Sequence, residues 1–85
     1  MEAEFIELFV RMAQLVGQPK SIGQIYGLTY LTPEPLNLED IMHRLEISKG
    51  SASQGLRFLR SAGAVRIVSV PNRRSDHYIA ETSLR

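Results

Sequence analysis

The sequence contains no cysteine among its 85 residues. It can therefore form neither a disulfide nor a thiolate metal site, which fits a reducing compartment. Long apolar runs are also absent, and the first residues are acidic in place of a basic leader followed by an apolar stretch. These absences predict a cytoplasmic protein without a signal peptide or a membrane span.

The size and composition predict one folded domain, residues 1–85. Hydrophobic residues make up 44% of the sequence and charged residues 22%, which lies outside the range of disordered chains. A chain of this length is near the lower limit for burying a self-sufficient core. Packing, and contact with a partner chain, must therefore supply the stability.

The net charge is only +1, but the charges are unevenly distributed. Residues 1–40 contain six acidic and two basic residues. Residues 41–85 contain three acidic and eight basic residues: Arg44, Lys49, Arg57, Arg60, Arg66, Arg73, Arg74 and Arg85. This asymmetry predicts one surface that binds a polyanion, with a chance clustering of solvated charges as the alternative.

The first predicted helix, within residues 1–17, is apolar around much of its circumference. One set of apolar residues at helical spacing is Phe5, Leu8, Phe9, Met12, Leu15 and Val16, and a second is Ile6, Val10 and Ala13. A domain this small can hardly cover both sets. We therefore predict that this helix contacts a second copy of the chain through Phe5, Ile6, Phe9, Val10 and Ala13.

A second helix is predicted over residues 21–31, because the prolines that follow at 33 and 35 prevent its continuation. Gly23 and Gly27 each lower its helical propensity by about 1 kcal/mol relative to Ala. Close approach of a neighbouring helix backbone explains why glycine is present at these positions.

Residues 37–62 are predicted to form a helix-turn-helix. Asn37 can cap a third helix, with Asp40 at its third position and Leu36 packing on Ile41 as a hydrophobic staple. A connection of only two residues, 46–47, leads to Ser48 as the cap of a fourth helix. Helices joined so tightly must cross at a large angle.

The fourth helix has an apolar face and a polar, basic face. Ala52, Leu56 and Leu59 recur at helical spacing and are predicted to face inward. Gly63 can end this helix, and residues 64–81 have the β-branched and turn residues of a hairpin with Arg73 and Arg74 at its tip. The predicted fold class is mainly α with a small β-hairpin: about four helices followed by a two-stranded wing.

The stretch from Leu38 to Tyr78 resembles the winged-helix domain of MarR-type bacterial regulators. The resemblance lies in residues 38–41, 45–53, 56–59 and 63–65, and in Arg73, Arg74 and Tyr78. Residues 17–27 are similar to the subgroup that includes the glycine-betaine-synthesis repressor. Such regulators usually extend past the wing into further helices that dimerise, whereas this sequence ends at Arg85, so dimerisation would rest on the first helix or be lost.

The resemblance implies a transcriptional regulator, a repressor by analogy with the subgroup, that binds double-stranded DNA with its fourth helix in the major groove. Gln54 can pair with adenine and Arg57 with guanine, and the wing can reach the minor groove or the backbone. The predicted DNA-binding residues are Ser48, Lys49, Gly50, Ser51, Ser53, Gln54, Arg57, Arg60, Arg73 and Arg74.

Three alternatives remain open for these surfaces. The basic face of the fourth helix can be ordinary solvated surface, and the charged wing tip can serve solubility alone. A winged helix can also act as a protein–protein interaction module without DNA binding. The subgroup further implies a small-molecule effector, for which Tyr26 and Tyr30 would offer an aromatic site for a cation, although packing is the alternative role for both rings.

No residue pattern indicates catalysis, a metal or a cofactor, and we predict that the protein is not an enzyme. His43 and His77 have no carboxylate or thiol partner at ligand spacing. Ser48, Ser51 and Ser53 lack the context of a nucleophile elbow, and the glycines do not form a phosphate-binding loop after a strand.

Overall fold

The structure, a computed structural model, describes residues 2–15 and 17–81. Its elements are α1 (Glu2–Leu15), α2 (Lys20–Leu31), α3 (Leu38–Leu45), α4 (Lys49–Ser61), β1 (Val65–Val68) and β2 (His77–Ala80). The predicted fold class, four helices followed by a hairpin, is confirmed. Val16 and Arg85, which entered the sequence interpretation, lie outside the described residues. None of the described helices has the length and apolar character needed to cross a membrane.

The contact between α1 and α2 depends on Gly23. A Cβ atom at this position would lie 2.4 Å from the carbonyl oxygen of Phe9 and 2.5 Å from the Cα of Val10. The two helix backbones therefore meet at a distance that no side chain permits, which confirms the close approach predicted for this glycine. At Gly27 a Cβ would lie 3.0 Å from Cγ1 of Ile6, a tight contact with a side chain that can shift.

This contact determines which face of α1 points inward. Val10 and Ala13 are buried, and Phe5, Ile6 and Phe9 are partly buried on the same side. The residues left exposed are Leu8 (52%), Met12 (52%) and Leu15 (86%).

Two of the five residues predicted to contact a second copy, Val10 and Ala13, are buried on the side of α2. Val10 and Ala13 have little surface left for another chain, because the backbone around Phe9 and Val10 lies against Gly23. A contact between α1 and a second copy stays a prediction. Its exposed apolar residues are Leu8, Met12 and Leu15.

Four aromatic rings extend the contact between α1 and α2. The ring centroids of Phe9 and Tyr26 are 4.8 Å apart with the rings edge to face, and those of Phe5 and Tyr30 are 5.5 Å apart. Phe5 and Phe9 are themselves 5.2 Å apart, edge to face. These arrangements are the favourable ones for aromatic pairs. Tyr26 and Tyr30 therefore pack against α1 in this structure. Their role in an effector site stays a prediction.

The main core lies on the other side of α2, beneath α4. Ile25 and Ile41 are completely buried there, and the three residues predicted to face inward from α4 join them: Ala52, Leu56 and Leu59. Gly55 lets α4 approach, since a Cβ there would lie 2.4 Å from Cδ1 of Ile25. α2 is thus packed between α1 and α4.

We predict that Gly23→Ala destabilises the protein. The added methyl group meets backbone atoms, which cannot move to another rotamer, so we expect the free energy of unfolding to fall by about 1–3 kcal/mol. This loss outweighs the gain in helical propensity of about 1 kcal/mol. Urea denaturation followed by circular dichroism measures the change.

Gly50→Ala is the matched control, because Gly50 is also helical and the nearest atom to its added Cβ would be Oγ of Ser48 at 4.0 Å. This variant should be as stable as the natural chain or more stable by up to about 1 kcal/mol. Equal stability of Gly23→Ala and Gly50→Ala would contradict the close helix contact.

Candidate nucleic-acid interface

A capping box fixes the start of α3. The backbone N–H of Asp40 donates to Oδ1 of Asn37 over 2.8 Å, and the backbone N–H of Asn37 donates to Oδ2 of Asp40 over 3.1 Å. The cap predicted at Asn37 is therefore confirmed. The helix ends at Glu46, whose φ of 54° is left-handed and uncommon for a residue other than glycine. This turn redirects the chain so that α4 begins three residues later.

Ser48 caps α4, as its sequence position predicts. Its Oγ accepts a hydrogen bond from the backbone N–H of Ser51 over 3.1 Å, and the two hydroxyl oxygens are 3.2 Å apart. The first turn of α4 carries no acidic residue and includes Lys49. The amides of this turn precede the first intrahelical hydrogen bonds and carry the positive end of the helix dipole. The exposed end of α4 is therefore electropositive.

The exposed face of α4 lies between two depressions in the surface. Ser51, Gln54 and Phe58 line one of about 230 Å³ together with the residues that begin α2. Ser53, Arg57 and Arg60 line the other, of about 220 Å³, together with Leu38 and Tyr78. The predicted contact residues of α4 thus form a polar ridge with open space on both sides.

The junction between α4 and β1 has the geometry of a Schellman motif. Gly63 has a φ of 76°. The N–H of Gly63 donates to the carbonyl oxygen of Arg60 over 3.0 Å, and the N–H of Ala64 donates to the carbonyl oxygen of Leu59 over 2.8 Å. The chain therefore reverses directly after α4, and β1 returns beside the end of the helix. β1 then pairs antiparallel with β2, with Val65 opposite Ala80 and Val68 opposite His77.

The hairpin is attached through β2 to Leu36, the residue before the α3 cap. Leu36 and Tyr78 exchange two backbone hydrogen bonds of 3.1 and 2.8 Å. Nearer the tip, the Nδ1–H of the buried His77 donates to the carbonyl oxygen of Ser75 over 2.9 Å. His77 therefore helps to hold the loop that leads into β2.

The tip of the hairpin presents two exposed arginines, Arg73 and Arg74. The N–H of Arg73 donates to the carbonyl oxygen of Val70 over 3.1 Å and closes a tight turn. Asn72 has a φ of 67° at the third position of this turn, a conformation that asparagine tolerates better than most residues. The two arginines are therefore carried on a closed turn.

Ten predicted DNA-binding residues lie on these two elements and their caps. Eight are exposed, and Ser51 and Ser53 are half-buried. No aspartate or glutamate occurs from residue 47 to residue 75. The same segment contains six basic residues, all exposed: Lys49, Arg57, Arg60, Arg66, Arg73 and Arg74. From α4 through β1 to the tip of the hairpin the chain therefore carries positive charge alone, and the next acids are Asp76 before β2 and Glu81 after it.

Arg66 is absent from the residues predicted from the sequence, yet it lies beside two of them. Arg57, Arg60 and Arg66 line one open cleft of about 560 Å³ between the end of α4 and β1. The alternation of a buried Val65 with an exposed Arg66 is a strand signal that the sequence contains. The position of Arg66 opposite α4 depends on the turn at Gly63, which the pattern alone does not specify.

The histidines and carboxylates do not gather around a common point. Within residues 2–15 and 17–81, no group of three or more potential ligand side chains is placed to hold a metal ion. His43 is exposed on α3, whereas His77 is buried in the hairpin.

No family model matches the chain. A relative is YvaV of Bacillus subtilis (strain 168), named as an HTH-type transcriptional regulator. The two sequences are 28% identical over 80 residues, which are 94% of this chain and 45% of YvaV.

Two solved structures have a similar fold. One, described as a transcriptional regulator, superposes with a TM-score of 0.84 at 22% identity, over 94% of this chain and 55% of that one. The chain folds as a winged helix-turn-helix. The Helicobacter pylori ferric uptake regulator Fur, whose structure reveals three functional metal binding sites in that protein, gives a TM-score of 0.71 at 15% identity over 100% of this chain and 61% of its own. The winged helix thus spans about half the length of these proteins.

Proposed function

We propose that the chain binds double-stranded DNA as the DNA-binding domain of a transcriptional regulator. The observation that carries this proposal is the segment from residue 47 to residue 75, which has six exposed bases and no acid and which forms α4, β1 and the tip of the hairpin. A positive surface on two adjacent elements attracts the phosphate backbone of a duplex. A helix with one exposed polar face fits the major groove.

α4 is the recognition helix in this proposal. Gln54 and Arg57 are exposed on it, and each can make two hydrogen bonds to one base, Gln54 to adenine and Arg57 to guanine. The electropositive first turn, which begins at Ser48 and contains Lys49, is suited to a phosphate. Gly50, with nothing closer than 4.0 Å to a Cβ added there, leaves room for the DNA backbone.

The names of the relatives support regulation of transcription as the biological role. YvaV is named as an HTH-type regulator, and both structural neighbours are described as regulators. The resemblance to MarR-type proteins and to the glycine-betaine-synthesis repressor supports repression as the direction. A protein that acts on chromosomal DNA in this way works in the cytoplasm of a bacterium.

The protein–protein interaction module is the competing function, and the surface of α4 distinguishes the two. An interaction module needs an apolar patch at its contact. Phe58, which is 39% exposed, is the large apolar residue on the described surface of α4. It lines a depression of mixed character with Pro19, Ile22, Ser51 and Gln54, whereas Lys49, Arg57 and Arg60 are exposed on the same helix. The basic surface therefore favours DNA.

A homodimer through α1 completes the proposal. Leu8, Met12 and Leu15 are exposed at i, i+4 and i+7 and form one apolar stripe beside the face of α1 that packs on α2. Contact between the stripes of two copies would remove the apolar side chains of both stripes from water. Two-fold symmetry would then present two recognition helices to half-sites about 34 Å apart.

A small-molecule effector follows from the subgroup resemblance. Tyr26 and Tyr30 supply aromatic surface, and a shallow apolar depression of about 230 Å³ lies beside Tyr26, between α1 and α2. The mutual packing of the four rings favours a structural role for the tyrosines themselves.

The first test is binding to duplex DNA. The purified chain selects duplexes from a random-sequence pool, and fluorescence anisotropy then compares a selected duplex with its scrambled counterpart across a range of salt. We expect preference for the selected duplex and a steep fall in affinity with salt. Arg57→Ala should cost about 1–3 kcal/mol on the selected duplex and less on the scrambled one, because it removes a base contact.

Equal losses on both duplexes would exclude base reading by Arg57. Failure of the natural chain to bind either duplex at low salt, when sedimentation shows it to be dimeric, would replace the proposal with the interaction module.

The wing is tested by Arg73→Gln combined with Arg74→Gln. If both arginines contact phosphate, the slope of the logarithm of affinity against the logarithm of salt should become shallower by up to about two. Arg11→Gln on α1 is the matched control, because Arg11 is exposed on a helix that packs on the far side of α2 from α4. An unchanged slope in the wing variant would remove the wing from the interface.

The dimer is tested by sedimentation equilibrium. Leu8→Glu combined with Met12→Glu places charge on the stripe without disturbing buried residues, and we expect it to convert a dimer into a monomer. Phe58→Glu introduces the same charge at an exposed apolar residue of α4. This control variant should have the same molecular mass in solution as the natural chain. A natural chain that is monomeric at high concentration would show that α1 is no dimer contact.

A further inference from the structure

We propose that Arg60 and Arg66 hold one phosphate of the DNA backbone at the cleft that Arg57 also lines, and that Glu81 competes with this phosphate for Arg66. The inference rests on the proposed function and adds to it a contact outside the base-reading face. It also assigns the carboxylate of Glu81 as a group that weakens the contact between Arg66 and the phosphate.

The hairpin register brings Arg66 and Glu81 together. Arg66 pairs with Ile79 across the strands, and Glu81 follows two residues later, which places its side chain on the same face of the hairpin. The N–H of Glu81 donates to the carbonyl oxygen of Ala64 over 2.8 Å and fixes its backbone. Its Oε2 lies 3.4 Å from Nε of Arg66.

The two remaining arginines come from the last turns of α4. Arg57 and Arg60 are three residues apart and therefore lie on one side of the helix. The Schellman turn at Gly63 returns the chain so that Arg66 borders the same cleft of about 560 Å³. Guanidinium groups beside an open cleft suit an anion that belongs to a long polymer, because such a backbone can pass through without being enclosed.

The pair between Arg66 and Glu81 can be exchanged for a phosphate. The two side chains are 56% and 36% exposed. Ion pairs with this much solvent contact contribute little to stability. A phosphate placed in the cleft gains a second guanidinium group from Arg60, which the carboxylate of Glu81 is not shown to contact.

The test compares four chains by anisotropy on one duplex across a range of salt: the natural chain, Arg66→Gln, Glu81→Gln and the double variant. We expect Arg66→Gln to weaken binding and to lower the slope against salt by about one, as the loss of one phosphate contact does. Glu81→Gln should tighten binding by about two- to fivefold, the range of an exposed ion pair. The double variant should lose this gain, because the gain acts through Arg66.

Glu7→Gln is the matched control. Glu7 Oε2 lies 3.9 Å from Nε of Arg11, so the same substitution releases an arginine on α1. We expect Glu7→Gln to change the affinity for the duplex less than Glu81→Gln does. Urea denaturation of each variant checks that the fold is retained.

Three results would overturn the inference. The first is an Arg66→Gln variant whose affinity depends on salt with the same slope as that of the natural chain. The second is a gain in affinity from Glu81→Gln that persists in the double variant or that Glu7→Gln equals. In both, the natural chain still binds duplex DNA and the proposed function stands. The third, no duplex binding by the natural chain, would overturn the proposed function and this inference together.

Discussion

The contact between Ile25 of α2 and Gly55 of α4 determines where the exposed face of α4 lies. Ile25 is completely buried, and its Cδ1 occupies the space that any side chain at position 55 would need. Because interiors are close-packed, a helix seated on such a contact cannot shift without opening a cavity. The inward stripe of α4 is thereby fixed against α2, and the polar ridge that carries Gln54 and Arg57 is fixed toward solvent.

Two backbone connections join the hairpin to this helical base. One is the turn at Gly63, which places β1 beside the end of α4, and the other is the pair of hydrogen bonds between Leu36 and Tyr78. Leu36 directly precedes the cap of α3, so the helix-turn-helix and the hairpin share one anchoring point. The arginines of α4 and of the wing consequently belong to one rigid surface.

Local signals in the sequence predicted much of this architecture, and the failures have a physical cause. The caps at Asn37 and Ser48 involve residues three apart along the chain, so a short segment specifies them. The inward face of α1 could not be predicted in this way, because apolar residues surround the helix and the choice depends on Gly23 of α2. The place of Arg66 depends on the register of the hairpin, which is set by contacts between residues far apart in sequence.

β1 is the outer strand of the hairpin, since β2 lies between it and Leu36. Among the described residues no further strand pairs with its outer edge, and such an edge is a template for edge-to-edge aggregation. Its four residues are few, Arg66 places a charge on it, and Pro71 lies shortly beyond. Repulsion between copies at these bases also discourages the addition of another strand. The same positive charge therefore also opposes the pairing of two copies edge to edge at β1.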